Sequence, residues 1–72
     1  MIVYDNFWRT LKASRESTYT LIKKHNISSS TIDKLRKNKP VTTTTINDVC
    51  RILNCDVGDI MEYIPNDNDW IL

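Results

Sequence analysis

Glycine and histidine occur once each in this 72-residue chain, and cysteine and proline only twice. Each scarcity removes a class of chemistry. With Gly58 alone there is no glycine-rich loop to cradle a phosphate. With His25 alone, and no paired carboxylates at a plausible site, there is neither a Ser/His/Asp ordering nor the ligand spacing of a metal centre. Cys50 and Cys55 form no CxxC pair and have no second pair beside them, so they are expected to be structural thiols in a reducing compartment. No enzyme and no cofactor are expected. Nothing approaches the apolar run of a membrane span, and MIVYDNFW lacks the basic start and long apolar core of a signal peptide; the expected compartment is the cytoplasm, with no membrane partner.

What is present suits a small helical domain. The chain is 40% hydrophobic and 26% charged, and at this length about 60% of the unfolded surface can be buried around one small core. The net charge of +1 says little, but its distribution is uneven. Lys23, Lys24, Lys34, Arg36, Lys37 and Lys39 against Asp33 give residues 23–39 a net +5; Asp56, Asp59, Glu62, Asp67 and Asp69 give residues 56–72 a net −5. Such a dipole orients a chain towards a polyanion.

The basic stretch contains two short amphipathic patterns. In the first, Tyr19, Leu21 and Ile22 supply the apolar side, with Ser17 or Thr18 as cap. It should stop near His25, a residue suited to a helix C-terminus or a phosphate neighbour, with Asn26 as left-handed terminator and Ile27 folding back. Ser28 caps the second, whose buried edge is Ile32 and Leu35. Its remaining faces carry Ser29, Ser30, Asp33, Lys34, Arg36 and Lys37.

Elsewhere, Met1 to Tyr4 is an apolar lead that pairs as a strand or tucks against the core. Asp5 or Asn6 caps a first helix with Phe7, Trp8 and Leu11 inward, ending near Ser14. Pro40 prevents continuation of the basic helix. Thr42 to Thr45 opens the next helix, in which Ile46, Val49, Cys50 and Leu53 face inward and Asp48 and Arg51 outward. Asn54 ends it, Asp56 caps a last helix, and Val57, Ile60, Met61 and Ile64 complete the core. Pro65 closes the domain, residues 1–65. Residues 66–72 form a short tail, a polar spacer followed by Trp70-Ile71-Leu72, which either frays or buries itself against the domain, against Met1 to Tyr4, or on a second copy.

The run from Leu21 to Lys39, with its turn at Asn26-Ile27-Ser28 and anchors Ile32 and Leu35, followed by Ile46, Val49, Cys50, Leu53 and NCDVGDI (54–60), resembles the Cro/C1-type (XRE-family) helix-turn-helix of phage and bacterial repressors. Ile22 stands where that family has a small residue, and Asn26 where it has glycine. The resemblance implies an all-α, five-helix, lambda-repressor-like domain with the helix-turn-helix at helices 2 and 3. It also implies double-stranded DNA as partner, a pseudo-palindromic operator bound by a homodimer, and transcriptional repression or regulation. Ser29, Ser30 and Lys34 match base-contacting positions, with Thr31 and Asp33 as further candidates, although Asp33 also stands four residues before Lys37 and can pair with it. Thr18, Lys37, Lys39 and Thr44 match phosphate contacts, with Arg36, Thr43 and Thr45 as candidates. The alternative is a protein-interaction module, such as an antitoxin or anti-repressor partner, that binds through its acidic third or apolar tail. RNA is disfavoured, because the A-form major groove does not admit a helix.

Overall fold

The computed structural model describes residues 1–65, so the Trp70-Ile71-Leu72 segment lies outside the described residues. In order the elements are β1 (Ile2–Val3), α1 (Asp5–Ala13), α2 (Thr18–Lys23), α3 (Ser29–Arg36), α4 (Thr43–Leu53), a 3-10 turn (Val57–Asp59) and β2 (Glu62–Tyr63). The fold is mostly helical, with one antiparallel strand pair in the register Ile2 to Tyr63 and Val3 to Glu62.

The core follows the apolar rhythm of each helix. Phe7 and Leu11 from α1, Leu21 from α2, Ile32 and Leu35 from α3, and Ile46 and Val49 from α4 close around Tyr4, Ile27 and Ile60. Trp8, Ile22, Cys50 and Leu53 pack half-buried at its margin. Phe7, Leu21, Leu35, Val49 and Ile60 are fully enclosed. Ile22, which stands where a small residue is expected, is accommodated at the edge of this cluster and not in its centre.

Helix ends are set by side chains of short reach. The Ser17 hydroxyl accepts from Thr20 N at 3.2 Å while Thr20 Oγ1 accepts from Ser17 N at 2.8 Å, a reciprocal box in which threonine replaces the usual Glu or Gln. Ser28 accepts from Thr31 N at 3.1 Å and Thr42 from Thr45 N at 3.2 Å. At the other ends, Asn26, Asn38 and Asn54 hold φ of 60°, 56° and 53°, the left-handed region that side chains other than asparagine and aspartate tolerate poorly. After α3 and α4 the chain then donates back across five residues, Lys39 N to Lys34 O at 2.9 Å and Cys55 N to Cys50 O at 3.0 Å, satisfying carbonyls that the helix leaves open.

Several expectations are corrected. No fifth helix follows α4 among the described residues; its place is taken by the three-residue 3-10 turn and then β2. The cause is competition for the chain after Ile60, since Ile64 donates to Met1 O at 2.8 Å and its own carbonyl accepts from Met1 N, so residues 61–64 are drawn into an extended pairing with β1. Val57 and Ile64 are consequently exposed, leaving Ile60, with Met61 at its margin, to plug the core. Asp5 and Asn6 do not cap α1. Tyr4 occupies the cap position, and the Phe7 amide is shared by Tyr4 O at 3.0 Å and Ile60 O at 3.1 Å. That frees the Asn6 side chain, whose Nδ2 donates to Gly58 O at 2.9 Å. Asp56 opens the last turn as expected, with the Asp59 carboxylate reaching back to its amide at 3.0 Å. Tyr19, expected inward, is 69% exposed, because in a six-residue helix the core reaches only Leu21 fully and Ile22 in part.

Candidate nucleic-acid interface

α2 and α3 are joined through Asn26, whose left-handed backbone lets Ile27 turn inward and donate to Leu21 O at 2.9 Å. The buried Ile27 side chain pins the turn, so the angle between the two helices is set by core packing and not by the polar residues of the loop. A second clamp closes over the turn's back. Glu16, just before α2, and His25, just after it, approach to 3.2 Å. A hydrogen bond from Thr20, reinforced by His25, holds the Glu16 carboxyl below the ordinary carboxylate range.

With Ile32 and Leu35 buried, α3 must present the opposite face to solvent. Ser29, Ser30 and Lys34 are exposed there, and Asp33 and Lys37 form an ion pair of 3.1 Å one helical turn apart. Thr31 is half-buried, and its hydroxyl is held by Ser28 at 2.8 Å, a role at the helix start. The surface is polar and basic, without a large apolar side chain.

The far end of α3 is fixed by the first residues of the chain. Tyr4 donates its amide to Asn38 Oδ1 at 2.9 Å and its phenol hydroxyl to Lys39 O at 2.9 Å. Lys37 and Lys39 thus flank an anchored, left-handed asparagine while their side chains remain exposed. Arg36 places its guanidinium over the Trp8 ring, 5.2 Å from the centroid, and Trp8 Nε1 donates to Leu35 O at 3.4 Å. The sequence reading missed Tyr4, Trp8 and Asn38 in these supporting roles. Asn38 was discoverable, since an asparagine after a helical pattern with proline two residues on is a helix-stop signature.

Thr42 caps α4, and its hydroxyl also lies 3.1 Å from Thr45 Oγ1. Thr43 and Thr44 are exposed in the first turn, with hydroxyls engaged by no other described side chain. Thr18, half-buried, stands first in α2. Helix starts of this kind offer unpaired backbone donors to an anion.

Among the described residues, no three His, Cys, Asp or Glu side chains gather to hold a metal, and no helix is long and apolar enough to cross a membrane. Cys50 and Cys55 are both free and half-buried, and burial, helped by the neighbouring Cys50, pushes the Cys55 thiol up to about 11.

The model of the Cro/C1-type helix-turn-helix DNA-binding domain matches residues 6–66. A crystal structure of the transcriptional regulator VanUg (form II) superposes with a TM-score of 0.80 at 35% sequence identity, over 90% of this chain and 87% of that one. No curated protein sequence matches significantly.

Proposed function

Because the chain belongs to the family of Cro/C1-type helix-turn-helix DNA-binding domains, we propose that it regulates transcription by inserting α3 into the major groove of double-stranded DNA, as one half of a homodimer on a pseudo-palindromic operator. The observation that carries this reading is the outward face of α3: short and medium hydrogen-bonding side chains on a helix whose back is locked by Ile32 and Leu35. Lys34 donates to guanine O6 or N7, and Ser29 and Ser30 bond to base edges permissively. Thr18, Lys39 and Thr44 hold phosphates, with Thr43 beside them; Arg36, supported on Trp8, is placed to join them. Thr31 and Thr45 serve the helix starts that their hydroxyls already support. Repression follows where the operator overlaps a promoter.

The test is selection of duplexes from a randomised pool, then affinities of the winner and a scrambled control across a salt series. A two-fold symmetric winner bound at least ~10³ tighter than the control is expected. Lys34→Ala should cost about 1–3 kcal/mol on the winner and relax preference at one position per half-site, whereas Lys39→Ala should weaken every duplex alike and lower the salt slope by about one. Weak, equal and steeply salt-dependent binding to all duplexes would refute sequence reading by this face.

A further inference from the structure

The exposed face of α3 carries one acid among its cations. Asp33 sits one turn after Ser29 and Ser30, directly before Lys34, and its Oδ2 lies 3.1 Å from Lys37 Nζ with the two side chains 46% and 56% exposed. Lys37 is the one described side chain that meets this carboxylate. A carboxylate on a groove-facing surface is unfavourable by default, because phosphates line the groove on both sides and most base edges there offer acceptors. Guanine shows N7 and O6, and thymine O4; only the amino groups of cytosine and adenine donate.

We propose that Asp33 and Lys37 form a specificity latch, in which Lys37 is released to a phosphate only when a base amino group, cytosine N4 foremost, takes its place at Asp33. This rests on α3 entering the major groove. In water such an exposed i, i+4 pair is weak and screened, and opens freely. Between α3 and a duplex the balance changes, since an unpaired carboxylate removed from water costs far more than an exposed one. On a random sequence Asp33 therefore retains Lys37, and one cation is withheld from the backbone. On the cognate sequence the base amino group satisfies the carboxylate, and Lys37 is free to displace a counterion. Lys34, next in sequence, donates where Asp33 accepts, so the two read groups of opposite polarity from one turn of helix. Discrimination then comes in part from weakened binding to wrong sequences, with the specific contact and the non-specific one exchanged at a single residue.

Both side chains are exposed, and substitutions there leave the core intact. The experiment measures affinity against salt for the selected duplex and for a scrambled one, with wild-type protein, Asp33→Ala, Asp33→Asn and Lys37→Ala. For wild type the slope of log K against log salt should be steeper on the selected duplex by roughly 0.9 per protomer, the signature of one extra phosphate contact. In Asp33→Ala that difference should vanish, because random DNA gains the contact, binding roughly fivefold to tenfold tighter at 0.1 M salt, while preference at one position per half-site is lost. Asp33→Asn should move that position towards adenine, the base whose N6 and N7 an amide matches. Lys37→Ala should keep the preference and abolish the slope difference. Equal wild-type slopes, or an Asp33→Ala protein that selects the same sequence with the same slope difference, would overturn the latch while leaving major-groove reading standing. Loss of selectivity by wild type, or indifference of the selected duplex to Lys34→Ala, would remove the groove placement and the latch with it.

Discussion

Replacing Asn38 should damage the fold by two separable routes, and three substitutions separate them. Asn38 holds a left-handed backbone, φ 56°, and its side-chain oxygen accepts the amide of Tyr4, a residue buried in the core. Alanine loses both features. Without the short polar side chain that eases asparagine into the left-handed region, alanine finds that conformation costlier by about 1 kcal/mol, and the stranded Tyr4 amide costs about 1–3 kcal/mol, for a loss of about 2–4 kcal/mol. Glycine accepts the backbone but supplies no acceptor, so the second loss remains, together with a smaller cost for the freedom it adds to the unfolded chain. Aspartate keeps the acceptor and tolerates the backbone, so its cost should be small. For a domain of this size, with stability towards the lower end of about 5–15 kcal/mol, the alanine variant gives up a large share of its reserve. Urea unfolding followed by helical circular dichroism reads the series, with midpoints ordered wild type, Asp, Gly, Ala and slopes unchanged. Alanine and glycine variants of equal stability would show that the left-handed turn is not a cost. An aspartate variant as weak as alanine would show that the Tyr4 hydrogen bond contributes nothing.

Two further outcomes follow from ionisable groups. With its thiol at about 11 against an ordinary 9.0, Cys55 should react with iodoacetamide at pH 8 about a hundredfold more slowly than an unhindered cysteine, since two units remove about 99% of the thiolate; alkylation of native protein at the unfolded rate would refute that burial. Glu16 is held below its ordinary value of 4.5, so it stabilises the fold at pH values above that figure and the contribution is lost as pH falls through its folded value. Glu16→Gln should therefore be less stable than wild type at pH 7, and the two unfolding curves should converge in acid; parallel stability profiles would discount the clamp across α2.

Much of this architecture could be read from residue pattern, for reasons visible in individual side chains. Ile32 and Leu35, three apart, fix the outward direction of α3, and that alone predicts the exposure of Ser29, Ser30 and Lys34. Asn26 and Asn54 were recognisable as left-handed stops because a helical period breaks on each. Asn38 plays the same part and carries the same signal, but Pro40 alone suffices to end the helix, so the asparagine's left-handed role is easily passed over. The fifth helix failed on a different ground. Val57, Ile60, Met61 and Ile64 fit a helical period, and Ile60 to Ile64 fit a strand nearly as well; the choice is made by Met1 to Val3, some sixty residues away, which no local pattern reports. Tyr19 was misplaced because a six-residue helix has room for little more than one buried position, a limit set by its neighbours. The site's supports, Tyr4 and Trp8, are tertiary relations and have no signature along the chain.

The ribbon of β1 and β2 also has a consequence for how the protein comes into being on the ribosome. Ile2 and Val3 wait for Glu62 and Tyr63, and the core lacks its plug until Ile60 arrives. A nascent chain that has delivered α2 and α3 has every exposed side chain of α3 yet no partner for its first strand, and closing a loop of this length is slow relative to forming the local helices. Seating of α3 against a finished core is thus expected only after residues 60–63 have been made.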